Sequence, residues 1–123
     1  MAKNKVLIID DDQDMRFILE RILTNARYKV FKARNGKEGI ELAKKILPDI
    51  IVTDIMMPEL DGITTVLKLK SIEETKSIPI IVSTAVREDE DKIVAQNLGA
   101  ADYCKKTADM KDLLAKIERI LKK

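Results

Sequence analysis

Asp10, Asp11 and Asp12 follow an apolar run at residues 6–9, Asp54 ends a second run at residues 50–53, and the pairs Ser83–Thr84 and Lys105–Lys106 close two more. Gathered within a few ångströms, carboxylates repel one another, and such a group persists where a cation neutralises it. Magnesium suits a sparse acidic group, because it takes one or two carboxylates, keeps several waters and leaves room for phosphate oxygens. Calcium fits less well, since residues 10–14 lack the spaced ligands and distal glutamate of an EF-hand loop. With a metal, Lys106 and Thr84 around it, a carboxylate oxygen of Asp54 can attack a phosphoryl group in line while the cations absorb charge on the transferring oxygens. The product is an acyl phosphate on Asp54.

Each of these residues also has a plainer reading. Asp12 and Asp14, ahead of a helical pattern, are expected to cap or line a helix N-terminus. Asp54 is followed by Ile55, Met56, Met57 and Pro58, where no helix begins, so capping explains it poorly. Thr84 alone is a strand-end hydroxyl and Lys106 alone a solvated lysine beside Lys105. Cys104 reads as a small buried hydrophobe without chemistry. For Tyr103, spacing alone favours the core.

The positions matter because of the elements that carry them. Short apolar runs alternate with segments of helical period, a pattern that argues for an α/β fold with a parallel sheet covered on both faces. Five strands are expected, at 5–10, 28–33, 50–54, 79–83 and 102–105, the first, third and fourth buried on both sides. Met15, Ile18, Leu19, Ile22 and Leu23 form an apolar helical stripe, repeated near the C-terminus by Met110, Leu113, Leu114, Ile117 and Leu121. A second helix near 36–47 is stopped by Pro48, and a third near 62–71 starts at Asp61 as N-cap. A fourth, 88–98, has only Ile93, Val94 and Leu98 as large apolar residues and is expected to be thinly anchored. Five strand–helix units with right-handed crossovers make a doubly wound sheet, in which polar residues at the carboxyl ends of the strands converge on one crevice.

Composition narrows the chemistry further. The chain has 123 residues, 46% of them hydrophobic, which suits one domain with one core and no need of a disulfide or metal staple. It contains no histidine, so His-based zinc sites, Ser-His-Asp triads and Cys-His pairs are excluded. One cysteine forms no internal disulfide, no secretion signal is evident, and no run approaches the roughly eighteen apolar residues that span a membrane, so a cytoplasmic location is expected. Charged residues make up 36%, yet 23 basic and 21 acidic side chains leave a net charge of +2, and lysines 105, 111, 116, 122 and 123 read as a solvated helix face. No nucleic-acid contact is expected from such a balance.

The segments VLIIDDDQDM at 6–15, PDIIVTDIMMPELDG at 48–62, IPIIVSTA at 78–85 and GAADYCKK at 99–106, in this order, make the chain similar to the receiver domains of two-component response regulators, over essentially its full length, 1–123. The resemblance implies a flavodoxin-like, five-stranded sheet of order 2-1-3-4-5 with five helices, here as a single-domain regulator like those of chemotaxis. It implies Asp54 as phosphoacceptor, Asp11 as direct and Asp10 as water-mediated Mg²⁺ ligand, and the backbone carbonyl of Met56 as a further ligand. Asp12 then lies outside the acidic pair, and Pro58 and Gly62 match the turn after the acceptor. Thr84 matches the switch hydroxyl, ahead of the small Ala85, and Lys106 the lysine that pairs with carboxylate and phosphoryl oxygens. Tyr103 matches the aromatic switch, against the core reading. The family usually has proline after that lysine, often behind a cis peptide bond; here Thr107 stands there.

The implied function is a phosphorylation-controlled switch, not an enzyme in the ordinary sense, although it assists its own phosphorylation and dephosphorylation. The phosphoryl donor is a sensor histidine kinase, a phosphotransfer protein or a small acyl phosphate. Phosphorylation then alters the surface of the fourth helix, fifth strand and fifth helix for a downstream protein target, with no nucleic acid or membrane contact. The chain is expected to be monomeric unless phosphorylation pairs two copies. Two other functions compete: a receiver-like binding module that works without phosphorylation, which Thr107 favours, and a magnesium-dependent phosphohydrolase, which Asp10-x-Asp12 suggests but Gln13 and Asp14 do not continue.

Overall fold

The computed structural model describes residues 3–54, 62–84, 97, 99–105 and 111–122, with the side chains of Thr84, Tyr103 and Lys105 outside that description. Five strands are present: β1 (Lys5–Ile9), β2 (Lys29–Ala33), β3 (Ile50–Asp54), β4 (Ile80–Thr84) and β5 (Asp102–Lys105). The described helices are α1 (Gln13–Asn25), α2 (Gly36–Ile46), α3 (Gly62–Ser71) and α4 (Lys111–Leu121), the last matching the fifth helical pattern of the sequence. Of the expected helix at 88–98 only Asn97 lies within the described residues, where it is helical, and the expected cap Asp61 lies outside them.

All four pairings are parallel and the strand order is β2-β1-β3-β4-β5. From β1 the chain steps to β2 on one side and then to β3 on the other. The carboxyl ends of β1 and β3 therefore flank the point where the winding reverses, the place at which doubly wound sheets open a crevice.

Alternation along each strand divides one set of apolar residues between two layers. Leu7, Ile9, Ile51, Ile80 and Val82 pack with Ile40 and Ala43 of α2 and Val66 and Leu69 of α3. Val6, Ile8, Ile50, Val52 and Ile81 point the opposite way, toward Leu19 and Leu23 of α1 and Leu113 and Ile117 of α4. Strands β1 and β3 bury nearly every residue on both sides, as continuous apolar runs in a parallel sheet should.

The helical stripes are narrower than their sequence pattern. Leu19 and Leu23 are buried, but Ile18 is 44% exposed, because adjacent helix positions lie about 100° apart and Ile18 falls to the side of the line facing the sheet. In α4 Leu113 and Ile117 are buried while Leu114 and Leu121 are half-buried; Met110 lies outside the described residues. Helix α2 ends one residue earlier than the pattern suggests, with Leu47 in the left-handed region at φ 48°. The residue before a proline is driven out of the right-handed helical region, and Pro48 follows directly. Strand β4 runs one residue further than expected and takes in Thr84.

Candidate metal and phosphoryl-acceptor site

Asp10 leaves β1 with every part of its backbone engaged. Its N–H donates to the Ala33 carbonyl at 3.1 Å, its carbonyl accepts from Arg16 Nη1 at 2.7 Å, and its Oδ1 accepts from the Asp12 N–H at 2.9 Å. Asp12 in turn caps α1, its Oδ1 accepting from the N–H groups of Asp14 at 2.9 Å and Met15 at 3.4 Å. The capping role expected of Asp12 is thus observed, and Asp14 lies in the first helical turn, where a negative charge complements the helix dipole.

Asp54 ends β3 buried, at 6% exposure, and its carbonyl accepts from Thr53 Oγ1 at 3.2 Å. Across the ladder it pairs with Ser83, whose buried Oγ has no hydrogen-bond partner among the described residues. Asp10 is 2% exposed, whereas Asp11 is open to solvent. One carboxylate oxygen from each of Asp10, Asp11 and Asp54 lies within 4.8 Å of the other two. Two buried acids and one at the mouth make a hard, all-oxygen donor set that still opens to water. This set fits magnesium: it offers few carboxylates, no soft sulfur or imidazole ligand, and access for waters and phosphate oxygens.

The remaining expected residues are placed by backbone alone or lie outside. Thr84 ends β4 beside Asp54's ladder partner and pairs in register with Lys105, and Tyr103 pairs with Val82. Met56, Pro58, Ala85, Lys106 and Thr107 lie outside the described residues. Arg16 was not apparent as a site residue in the sequence; the only hint is a lone arginine one turn into an acidic helix start.

Cys104 is buried, as its sequence reading expects, and donates its thiol to Asp112 Oδ2 at 3.7 Å. Burial, reinforced by the nearby Asp112 and Asp102 carboxylates and opposed by Lys116, pushes the thiol up to about 11. Around it Asp102 pairs with Arg119 and, at 3.8 Å, with Lys116, which also reaches Asp112 at 3.2 Å. The pairs to Asp102 tie α4 to β5 and use Lys116, one of the lysines read as solvated.

The response regulator receiver domain model matches residues 6–118. Among curated proteins, the chain is 35% identical to protein PilH of Pseudomonas aeruginosa over 95% of this chain and 97% of that protein. It is 36% identical to the DNA-binding dual master transcriptional regulator RpaA of Synechocystis, over 97% of this chain but 49% of RpaA. The chain spans about half the length of several curated regulators that it matches. The chemotaxis protein CheY4 of Vibrio cholerae superposes with a TM-score of 0.90 at 29% identity, covering 97% of this chain and 99% of that one.

The chain belongs to the response regulator receiver domain family. Its fold is the flavodoxin-like α/β fold of that family, and its class of function is the phosphorylation-controlled switch of two-component signalling. Receiver domains are signalling switches rather than ordinary enzymes, bind magnesium at an acidic pocket and meet a histidine kinase or phosphotransfer partner. Among the described residues, no helix is long and apolar enough to cross a membrane.

Proposed function

We propose that Asp54 is the phosphoacceptor of this chain and that Asp10 and Asp11, with the Met56 carbonyl, hold the magnesium ion its phosphorylation requires. The observation that carries this reading is the group of three carboxylates at the ends of β1 and β3, two of them buried and all within 4.8 Å. Magnesium there supplies the positive charge that offsets both the acids and the oxygens of the transferring group. An Asp54 oxygen forms its bond to phosphorus as the bond to the donor nitrogen of a phosphohistidine, or to the leaving oxygen of an acyl phosphate, breaks. A phosphohistidine must come from another protein, since this chain has no histidine.

Lys106 neutralises the phosphoryl oxygens in this reading, and Thr84 and Tyr103 are the switch residues that pass the change to the surface. The same pocket assists dephosphorylation. Residues 1–123 work as one receiver domain in the cytoplasm, monomeric unless phosphorylation pairs two copies, and acting through a downstream protein rather than through nucleic acid or membrane.

Intact-mass analysis after incubation with acetyl phosphate tests the acceptor. Wild type with Mg²⁺ is expected to gain one phosphoryl group, and wild type without Mg²⁺ or Asp54→Asn with it to gain none. Phosphate uptake by Asp54→Asn at the wild-type rate would move the acceptor elsewhere. Absence of any adduct, with no response of the NMR spectrum to beryllofluoride, would favour the phosphorylation-independent binding module.

A further inference from the structure

The peptide bond between Asp10 and Asp11 joins the two acids proposed as metal ligands, and its oxygen is the atom that Arg16 holds, at 2.7 Å from Nη1. The Asp10 N–H is tied to Ala33, and Oδ1 accepts the Asp12 N–H, a bond that spans Asp11 and holds the chain on its far side. The direction in which the chain leaves toward Asp11 depends on the plane of that next peptide. Asp11 is exposed, so packing does little to aim it. A rotation of this plane swings the Asp11 carboxylate away from Asp54 without disturbing β1.

Arg16 is half-buried near the N-terminal end of α1, where the helix dipole disfavours a cation. The hydrogen bond to the Asp10 carbonyl accounts for its direction. We infer that Arg16 is a positioning residue that sets magnesium affinity by holding the Asp10–Asp11 peptide plane; the inference rests on the reading of this acidic group as the metal site.

Two consequences of Arg16 oppose each other, which makes the inference testable. As a charge it repels a cation nearby, so its removal would tighten magnesium binding. As a positioning group it keeps Asp11 in place for an ion that demands near-ideal octahedral geometry, so its removal loosens binding. The guanidinium charge is partly solvated, whereas a misplaced ligand is felt directly by the ion. Positioning therefore prevails.

Magnesium titration followed by amide NMR shifts compares wild type, Arg16→Met and Arg16→Lys. Arg16→Met is expected to bind Mg²⁺ at least fivefold more weakly, and Arg16→Lys, which keeps the charge and one donor, two- to threefold more weakly. In the metal-free protein the amide signals of Asp11 and Asp12 shift in Arg16→Met while those of β5 stay in place. Unchanged or tighter binding by a folded Arg16→Met overturns the positioning role. If that variant does not fold, wild-type affinity in Arg16→Lys overturns it instead. A wild type that binds no Mg²⁺ at millimolar concentration sinks the metal-site reading and this inference with it, an outcome distinct from failure of Arg16 alone.

Discussion

Cys104 and Asp10 are both almost completely buried polar residues, and their surroundings give them opposite fates. Asp10 accepts the Asp12 N–H and lies beside the solvent-open Asp11 carboxylate. Cys104 sits in an apolar layer with carboxylates nearby, so its thiolate is disfavoured and the thiol rises from its ordinary 9.0 to about 11. A rise of that size leaves about a hundredfold less thiolate near neutral pH than in the unfolded chain, and alkylation by iodoacetamide at pH 8 should slow accordingly. The raised value also links to stability with a definite sign. Between about pH 9 and about pH 11 the unfolded chain releases a proton that the folded chain retains, so stability falls as pH rises through that window. Urea unfolding at pH 8 and pH 10.5 is expected to show a smaller loss for Cys104→Ala than for wild type; equal losses would mean the thiol is not the group responsible.

At the scale of elements, the contact between α2 and β1 decides how close a helix comes to the acidic end of the sheet. Gly39 lies inside α2, where alanine normally gains about 1 kcal/mol over glycine in helix propensity. A Cβ placed on Gly39 would lie 2.5 Å from Ile9 Cδ1 and 2.7 Å from Ile9 Cγ1. Ile9 is fully buried in the layer between β1, α2 and α3. Overpacking of this kind costs about 1–3 kcal/mol, which outweighs the propensity gain. Gly39→Ala is therefore expected to destabilise the protein by about 1 kcal/mol in urea unfolding, and Ile9→Val, which removes Cδ1, to reduce the cost of Gly39→Ala when combined with it. A stabilised Gly39→Ala would show that α2 moves outward freely. Because Ile9 precedes Asp10, the same close approach positions the first acid of the site, a link that the sequence alone does not display.

For the whole molecule, what was legible in the sequence followed from periodicity and from the ends of strands. The five strands and the helices at 13–25, 36–46, 62–71 and 111–121 all stand where apolar runs and helical stripes put them, with boundaries moved by a residue or two. The convergence of Asp10, Asp11 and Asp54 was legible for the same reason, since a doubly wound sheet brings the ends of β1 and β3 together. What was not legible depends on side-chain direction: Ile18 left exposed beside Leu19, Lys116 and Arg119 drawn into ion pairs with Asp102, and Arg16 turned back onto the Asp10 carbonyl. Residue spacing carries the face of a helix but not the partner that a long charged side chain selects. The acidic site itself sets a global energetic cost. Two unit charges about 5 Å apart repel by about 3 kcal/mol at an effective dielectric of about 20, before neighbouring donors and cations offset part of it. Asp54→Asn removes one of three such charges. In EDTA this variant is expected to melt about 4 °C above wild type, the shift for about 1 kcal/mol in a chain of this size. If the three acids hold magnesium as proposed, the ion at one hundred times its dissociation constant adds about 2.7 kcal/mol to the folded state, and wild type gains more from it than a variant lacking one carboxylate. Melting curves of both proteins in EDTA and in excess Mg²⁺ should show the gap close or reverse. An Asp54→Asn protein that melts below wild type in EDTA would mean the three acids are not in mutual repulsion in the metal-free fold.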